Sequence, residues 1–506
     1  MRFKFYIFKH RKKDNFERFY PFFLFFKIEH SIYLPFKQLM MFVEQVQRIK
    51  NKLIKAKNAD VKLKVFGSEE HKYALGYTLN EKDILKFEKE YDLELPECYR
   101  TFLTNVGNGG IGFNASGAGP FYGIYPFGKM IEELIDKNAK EYLSQDCVWY
   151  PNMTDEYWDE ITKNIDEEGI SDEDFEIELG KIFSGVLPLG SQGCSYIHGL
   201  VLNGEFKGRV VNLDIDRQKP KFTFENNFLD WYERWLDEVI SGDLIVDTAT
   251  WFGYSMGGKA EDLLETYFSV SEFNIKKDCL NALLKKAKLD TETLDVIEAE
   301  YKLRSGEIQE VLLQILTKFD YNKAHVHLIE YAKENLLQVF QFVFWYAKEK
   351  SSDWLGSIES NVGKINDEET FRFCTYLLKE MSIDYGEIIA PFASNENEEI
   401  RVSAYYSLGQ LKNKSKYLEI FIQGLNDKTN SVVRTALQAL DGLEDKKLLR
   451  HYKSVSERFP KEQNYILVNL NLRLKPFGLT NSTIKNIDVE TYEFFTSKNK
   501  WYQFWK

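Results

Sequence analysis

Residues Leu95 to Gly110 read LPECYRTFLTNVGNGG, and this stretch decides the fold of the first half of the chain. Pro96 suits the first helical position, because the N–H it lacks is one that a helix start leaves unpaired. Tyr99, Phe102 and Leu103 fall at i, i+3 and i+4 on one face. Gly107, Asn108, Gly109 and Gly110 tolerate positive φ, so the spacing predicts a short buried helix with a hard stop.

Upstream, Asn80 is an N-cap candidate, Glu81 and Asp83 suit the positive end of a helix dipole, and Ile84, Phe87 and Tyr91 line one face. Val43, Val46, Ile49, Leu53 and Ile54 predict a further amphipathic helix over Phe42 to Lys57. Downstream, Phe121 to Pro126 alternates as a short strand or sheet edge does. Strand-like runs at 182–187, 195–201, 208–213 and 221–224, with Asn203-Gly204 as a hairpin turn, predict a mostly antiparallel sheet. Phe228, Trp231, Tyr232, Trp235, Leu236 and Val239 then form a broad helical stripe, read as core.

Taken in order, Glu81 to Tyr91, Leu95 to Leu103, Asn108-Gly109-Gly110, Leu187-Pro188-Leu189-Gly190 and Phe228 to Ile240 resemble the SUKH superfamily, the Smi/Knr-type domain of cell-wall regulators and bacterial immunity proteins. The resemblance covers roughly residues 75–241 and rests on the order of the motifs. It implies an α+β domain that neutralises a cognate toxin, often a nuclease, by direct binding. The cell-wall-regulator branch implies instead a scaffold with several host partners.

At 506 residues the chain exceeds what one core serves, so two or three domains are expected. The formal net charge of −12 is uneven, because residues 1–64 carry 16 Lys and Arg against 5 Asp and Glu, which leaves −23 for the remainder. An acidic body repels phosphate backbones and attracts basic partners, which argues against direct nucleic-acid binding and for a cationic protein ligand. Acidity also simply aids solubility. Five scattered cysteines without a C-x-x-C pair fit reduced thiols in the cytoplasm rather than disulfides or zinc.

Residues 1–40 are basic and aromatic, and are read as an extension preceding a true start at Met40 or Met41. Their apolar run, Tyr20 to Phe26, is too short to span a bilayer, so no stable membrane association is expected, a surface-lying segment being the alternative. An α+β domain over 41–245 follows, and Gly253 to Gly258 reads as a junction. Beyond it amphipathic stretches of helical period recur, and at a shift of 32 Ile400 meets Val432, Ala404 meets Ala436 and Leu408 meets Leu440. Ala404 to Leu411 resembles the short form of HEAT-like repeats, although Asp441 replaces the expected glycine in the second copy and Arg434 lies one position late. The expected organisation adds an all-α solenoid over 257–475 and a tail or cap over 476–506.

Motifs for chemistry are missing. The six glycines of Gly107 to Gly119 lack the G-K-S/T of a phosphate loop, and Asp166-Glu167-Glu168-Gly169 lacks calcium-loop spacing. Asp214-x-Asp216 reads as turn capping and His198 as a satisfied strand histidine. No catalytic, cofactor or metal residue is nominated, and an enzyme hidden near Asn108 to Tyr125 is the least favoured reading. Between Thr154 and Leu179, twelve acidic residues accompany a single lysine. There Asp155, Glu156, Trp158, Asp159, Asp166, Glu167 and Glu168 are the candidate contact surface for a basic toxin, aromatics giving affinity and charge steering encounter. Plain solvated helix faces are the alternative reading, and the concave face of the helical array is the rival location. The expectation is a non-catalytic immunity protein acting in the cytoplasm by occlusion.

Overall fold

The computed structural model describes residues 30–165, 169–246, 251–460 and 463–493, with side chains from Phe42 onward. The chain divides into two compact units between Gly257 and Gly258.

The first unit is α+β. Helix α1 (His30–Ala59) begins well before the expected Phe42. It buries Phe42, Gln45, Val46, Ile49 and Ala56, whereas Val43 and Ile54 are exposed. The stripe is thus rotated from the expected one, because Gln45 Nε2 and Arg48 Nε donate to Asp230 Oδ1 and Glu233 Oε1 at 2.8 Å each. Helix α2 (Glu81–Tyr91) starts as its sequence says, with Asn80 Oδ1 accepting from the Asp83 amide at 3.1 Å. Helix α3 (Glu97–Asn105) has Pro96 at its cap, one place before the expected N1, and buries Tyr99, Phe102 and Leu103 completely.

Two short acidic helices, α4 (Asp155–Thr162) and α5 (Asp172–Ile182), precede the sheet. The sheet comprises β1 (Val186–Gly193), β2 (Tyr196–Val201), β3 (Val210–Asp214) and β4 (Lys221–Phe222), antiparallel in that order. Its first strand differs from the expected Ile182 to Leu187. Ser171 caps a helix that runs through Ile182, Gly185 turns the chain at φ 65°, and the strand continues to Gly193 across two register shifts. The glycine-rich segment lies on the free edge of β1, where the amides of Tyr122 and Tyr125 donate to Ser191 O at 3.2 Å and Leu189 O at 2.7 Å. It forms one isolated bridge, Gly117 to Ile124, rather than a strand. Asn203-Gly204 does not make a two-residue turn, since eight residues join β2 to β3 and Asn203 Nδ2 donates to Leu143 O at 2.8 Å.

Helix α6 (Phe228–Ser241) closes the unit, and all six residues of its stripe are at most 1% exposed. Each such side chain contributes about 2 kcal/mol of burial, so α6 with α3 is the centre of this core. Ring contacts of 4.8 Å between Phe102 and Tyr232 and 4.9 Å between Tyr99 and Phe228 join the two helices. The start of the expected junction, Gly253 to Gly258, packs on this unit: Arg234 Nη2 donates to Ser255 O at 2.8 Å, and Phe252, just before it, is buried against Trp231.

Among its described residues the second unit has helices and no strands. One layer contains α7 (Gly306–Phe319), α8 (Leu336–Tyr346), α9 (Glu368–Glu380), α10 (Glu398–Gly409), α11 (Asn430–Ala439) and α12 (Asn464–Leu474), each packed on the next. Partners of the 32-residue shift share their burial, with Ile400, Val432, Ala404, Ala436, Leu408 and Leu440 all at 0% exposure. The small residue at Ala436 lets two neighbouring helices approach closely. A Cβ on Gly424, in the helix Leu418–Leu425, would lie 2.7 Å from the Ala436 methyl. Residues 480–492 pack back on the second unit, Ile484 being buried and Tyr492 Oη donating to Phe477 O at 2.8 Å.

Candidate partner-binding surface

Helices α4 and α5 form where their sequence provides hydroxyl caps before acidic first turns. Thr154 Oγ1 accepts from the Tyr157 amide at 3.2 Å, and Ser171 Oγ from the Asp174 amide at 3.1 Å. Carboxylates at these ends meet the positive pole of the helix dipole. The apolar residues of the pair turn inward. Trp158 is 8% exposed, Thr162 and Ile165 are buried, and Tyr157 Oη donates to Val148 O at 2.9 Å. Asn164 Nδ2 donates to Glu178 Oε2 at 3.2 Å and links the two helices.

The expected constellation therefore separates. Asp155, Glu156 and Asp159 stand exposed on α4. Trp158 is buried in the hydrophobic core of the unit, so it offers a partner no ring. Asp166, Glu167 and Glu168 lie outside the described residues. Glu160, Asp172, Glu173 and Asp174, outside the expected set, are equally exposed; the helical spacing of Glu156 and Glu160, and the first turn after Ser171, carry the signal. Cations are sparse but present. Lys219 pairs with Asp155, Lys163 with Glu160, and Lys181 with Glu178, whose carboxyl is held below the usual range chiefly by that lysine. The Arg217 guanidinium lies 5.4 Å over the half-buried Phe175 ring.

The glycine-rich segment, the other candidate, is a packed seam and not a cleft. A Cβ on Gly117 would lie 2.0 Å from Gly109 O, and one on Gly190 2.0 Å from Gly123 O. The histidines nearby are interior groups. His198 is fully buried, with Nδ1 3.0 Å from both Gln192 Nε2 and Asn212 Oδ1, and burial pushes its pKa down to about 3. Burial likewise lowers His71 to about 4. Asp214 accepts from the Asp216 amide at 2.9 Å, a turn cap as expected. Among the described residues no group of three or more His, Cys, Asp or Glu is placed to hold a metal ion, and no helix is long and apolar enough to cross a membrane.

The fold and this surface define an α+β domain that carries a charged helical pair and is followed by a helical array. Residues 78–234 match the model of the SMI1 / KNR4 family (SUKH-1), from just before the Asn80 cap into the middle of α6. No curated protein and no solved structure matches the chain.

Proposed function

We propose that the chain is a non-catalytic binding protein of the immunity type, whose first unit occludes a basic, nuclease-type bacterial toxin in the cytoplasm. On this reading residues 41–245 are the SUKH-like domain and 257–475 a HEAT-like array. The observation that carries it is the set of seven exposed carboxylates, Asp155, Glu156, Asp159 and Glu160 on α4 and Asp172, Glu173 and Asp174 on α5. They sit on helices whose apolar side is spent on the core, so their placement is fixed before any partner arrives. Such a surface can stand in for the phosphates that a basic toxin site holds, and it steers encounter over a Debye length of about 8 Å.

The test is affinity purification of the full tagged chain from its native host at low and at high salt, with mass spectrometry of what accompanies it. One small basic polypeptide, lost at high salt, supports the immunity reading. Many host proteins, retained at high salt, would instead support the scaffold reading.

A further inference from the structure

Helices α8, α9 and α10 are built to one plan. Val343, Cys374 and Ala404 are fully buried at equivalent points, and two residues after each stands an exposed aromatic. These are Trp345, Tyr376 and Tyr406, at 50%, 36% and 58% exposure. The core does not require them, because the same place is Gln314 on α7 and Gln438 on α11. The result is a ladder of three aromatic rungs between polar ends. Helices of one layer pack about 8–10 Å apart, so the rungs recur at about that interval. The first two stand on an aromatic floor: Phe373 lies 5.7 Å from Trp345 and 5.6 Å from Tyr376, and Phe344 lies 5.1 Å from Tyr376.

The ladder offers rings but no free backbone groups, since its peptide bonds are spent inside helices. A partner that adds a strand therefore finds nothing to pair with. A polyproline II helix needs no such pairing, because it has no internal hydrogen bonds and is already extended before binding. Its turn of three residues rises about 9.3 Å, which matches the interval of the rungs, so prolines at every third position would rest on successive rings. The ladder also has an acidic border. Glu369 and Glu399, exposed in the first turns of α9 and α10, lie seven residues before Tyr376 and Tyr406, about 10.5 Å along each helix. Arg372 offsets part of that charge, at 3.8 Å from Glu369, while Glu399 stands beyond it.

We propose that Trp345, Tyr376 and Tyr406 form a docking surface for a proline-rich segment of another protein, bound as a polyproline II helix with Lys or Arg toward Glu369 and Glu399. This site is separate from the acidic helical pair of the first unit, and its function stands or falls independently of the toxin reading.

The test uses the full chain and a labelled synthetic peptide of Pro-x-x-Pro repeats with a terminal arginine, about nine residues long so as to reach three rungs. Two controls of equal charge accompany it, a scrambled peptide without the three-residue period and an amphipathic helical peptide. Fluorescence anisotropy is expected to show the periodic peptide binding at least about tenfold more tightly than either control. Trp345→Ala and Tyr376→Ala are each expected to weaken it by about tenfold or more, and Glu399→Gln by a few fold. Because all three positions are exposed, circular dichroism should show the variants folded. Equal binding of the scrambled peptide, preference for the helical one, absence of binding, or indifference to Trp345→Ala would each overturn the proposal.

Discussion

The Arg401 guanidinium forks onto Asp427, Nε to Oδ2 at 2.9 Å and Nη2 to Oδ1 at 3.1 Å, and so ties α10 to the turn that leads into α11. Arg401 is 5% exposed and also donates to Asn395 O at 2.9 Å and Glu396 O at 3.0 Å. Removing it would leave a shielded carboxylate and two carbonyls without their donor. Arg401→Met is expected to cost about 3 kcal/mol in the unfolding transition of the second unit, measured by urea denaturation. Arg434, exposed on α11, should be replaceable by alanine within about 0.5 kcal/mol.

The same pair predicts an acid limb. Burial works against the Asp427 charge, but Arg401 and the Thr429 amide outweigh it and hold the carboxyl below the usual carboxylate range. A folded pKa below the unfolded one gives stability that is complete at neutral pH and lost as pH falls through the folded value. Asp427→Asn should therefore flatten the acid side of the second unit's stability profile.

Two buried histidines act on the first unit at higher pH. His71 and His198 are held near 4 and 3 by burial, whereas both titrate near 6.5 when unfolded. Between those values the unfolded chain binds more protons, so stability is full above about pH 6.5 and falls as pH drops toward the folded values. Each histidine contributes a slope of up to about 1.4 kcal/mol per pH unit in that window. Chemical denaturation of the first unit between pH 7 and pH 4 should show it, and His198→Gln should remove about half. A flat profile in the unsubstituted protein would contradict the burial described here.

Gly190 and Gly424 mark close approaches of opposite kinds. At Gly190 a Cβ would meet a carbonyl oxygen at 2.0 Å, so Gly190→Ala has to push the glycine-rich seam off β1. At Gly424 it would meet the Ala436 methyl and the Tyr405 ring, each at 2.7 Å. Both alanine variants are expected to lose about 1–3 kcal/mol, Gly190→Ala from the first unit and Gly424→Ala from the second, by thermal or urea unfolding. Pairing Gly424→Ala with Ala436→Gly should recover part of the loss.

Legibility in the sequence followed locality. Helix α3, the Asn80 cap and the α6 stripe were readable because their signals lie within one or two turns of chain. The start of β1 was not, because Pro188, Gly190 and Gly193 look like punctuation, and only the neighbouring seam shows why small residues suit that strand. The glycines after α3 serve close packing more than turning: among Gly107, Gly109 and Gly110 only Gly109 has a positive φ, of 54°. Repeats beyond the shift of 32 were hidden because the interval drifts, Trp345 to Tyr376 being 31 residues and Tyr376 to Tyr406 being 30. At the acidic pair the charge was legible, but not which side Trp158 faces, since that depends on a core assembled from residues distant in sequence.

Whether the exposed carboxylates of α4 and α5 hold a basic partner is decided on the polypeptide that accompanies the chain. Its association rate should be measured against salt for the unsubstituted protein and for a variant with Asp155, Glu156, Asp159, Glu160, Asp172, Glu173 and Asp174 changed to their amides. Partner binding there is expected to give an association rate at least about tenfold slower for the variant, with a nearly flat salt dependence. An unchanged rate with an unchanged salt dependence would contradict it and return α4 and α5 to the role of solvated helix faces.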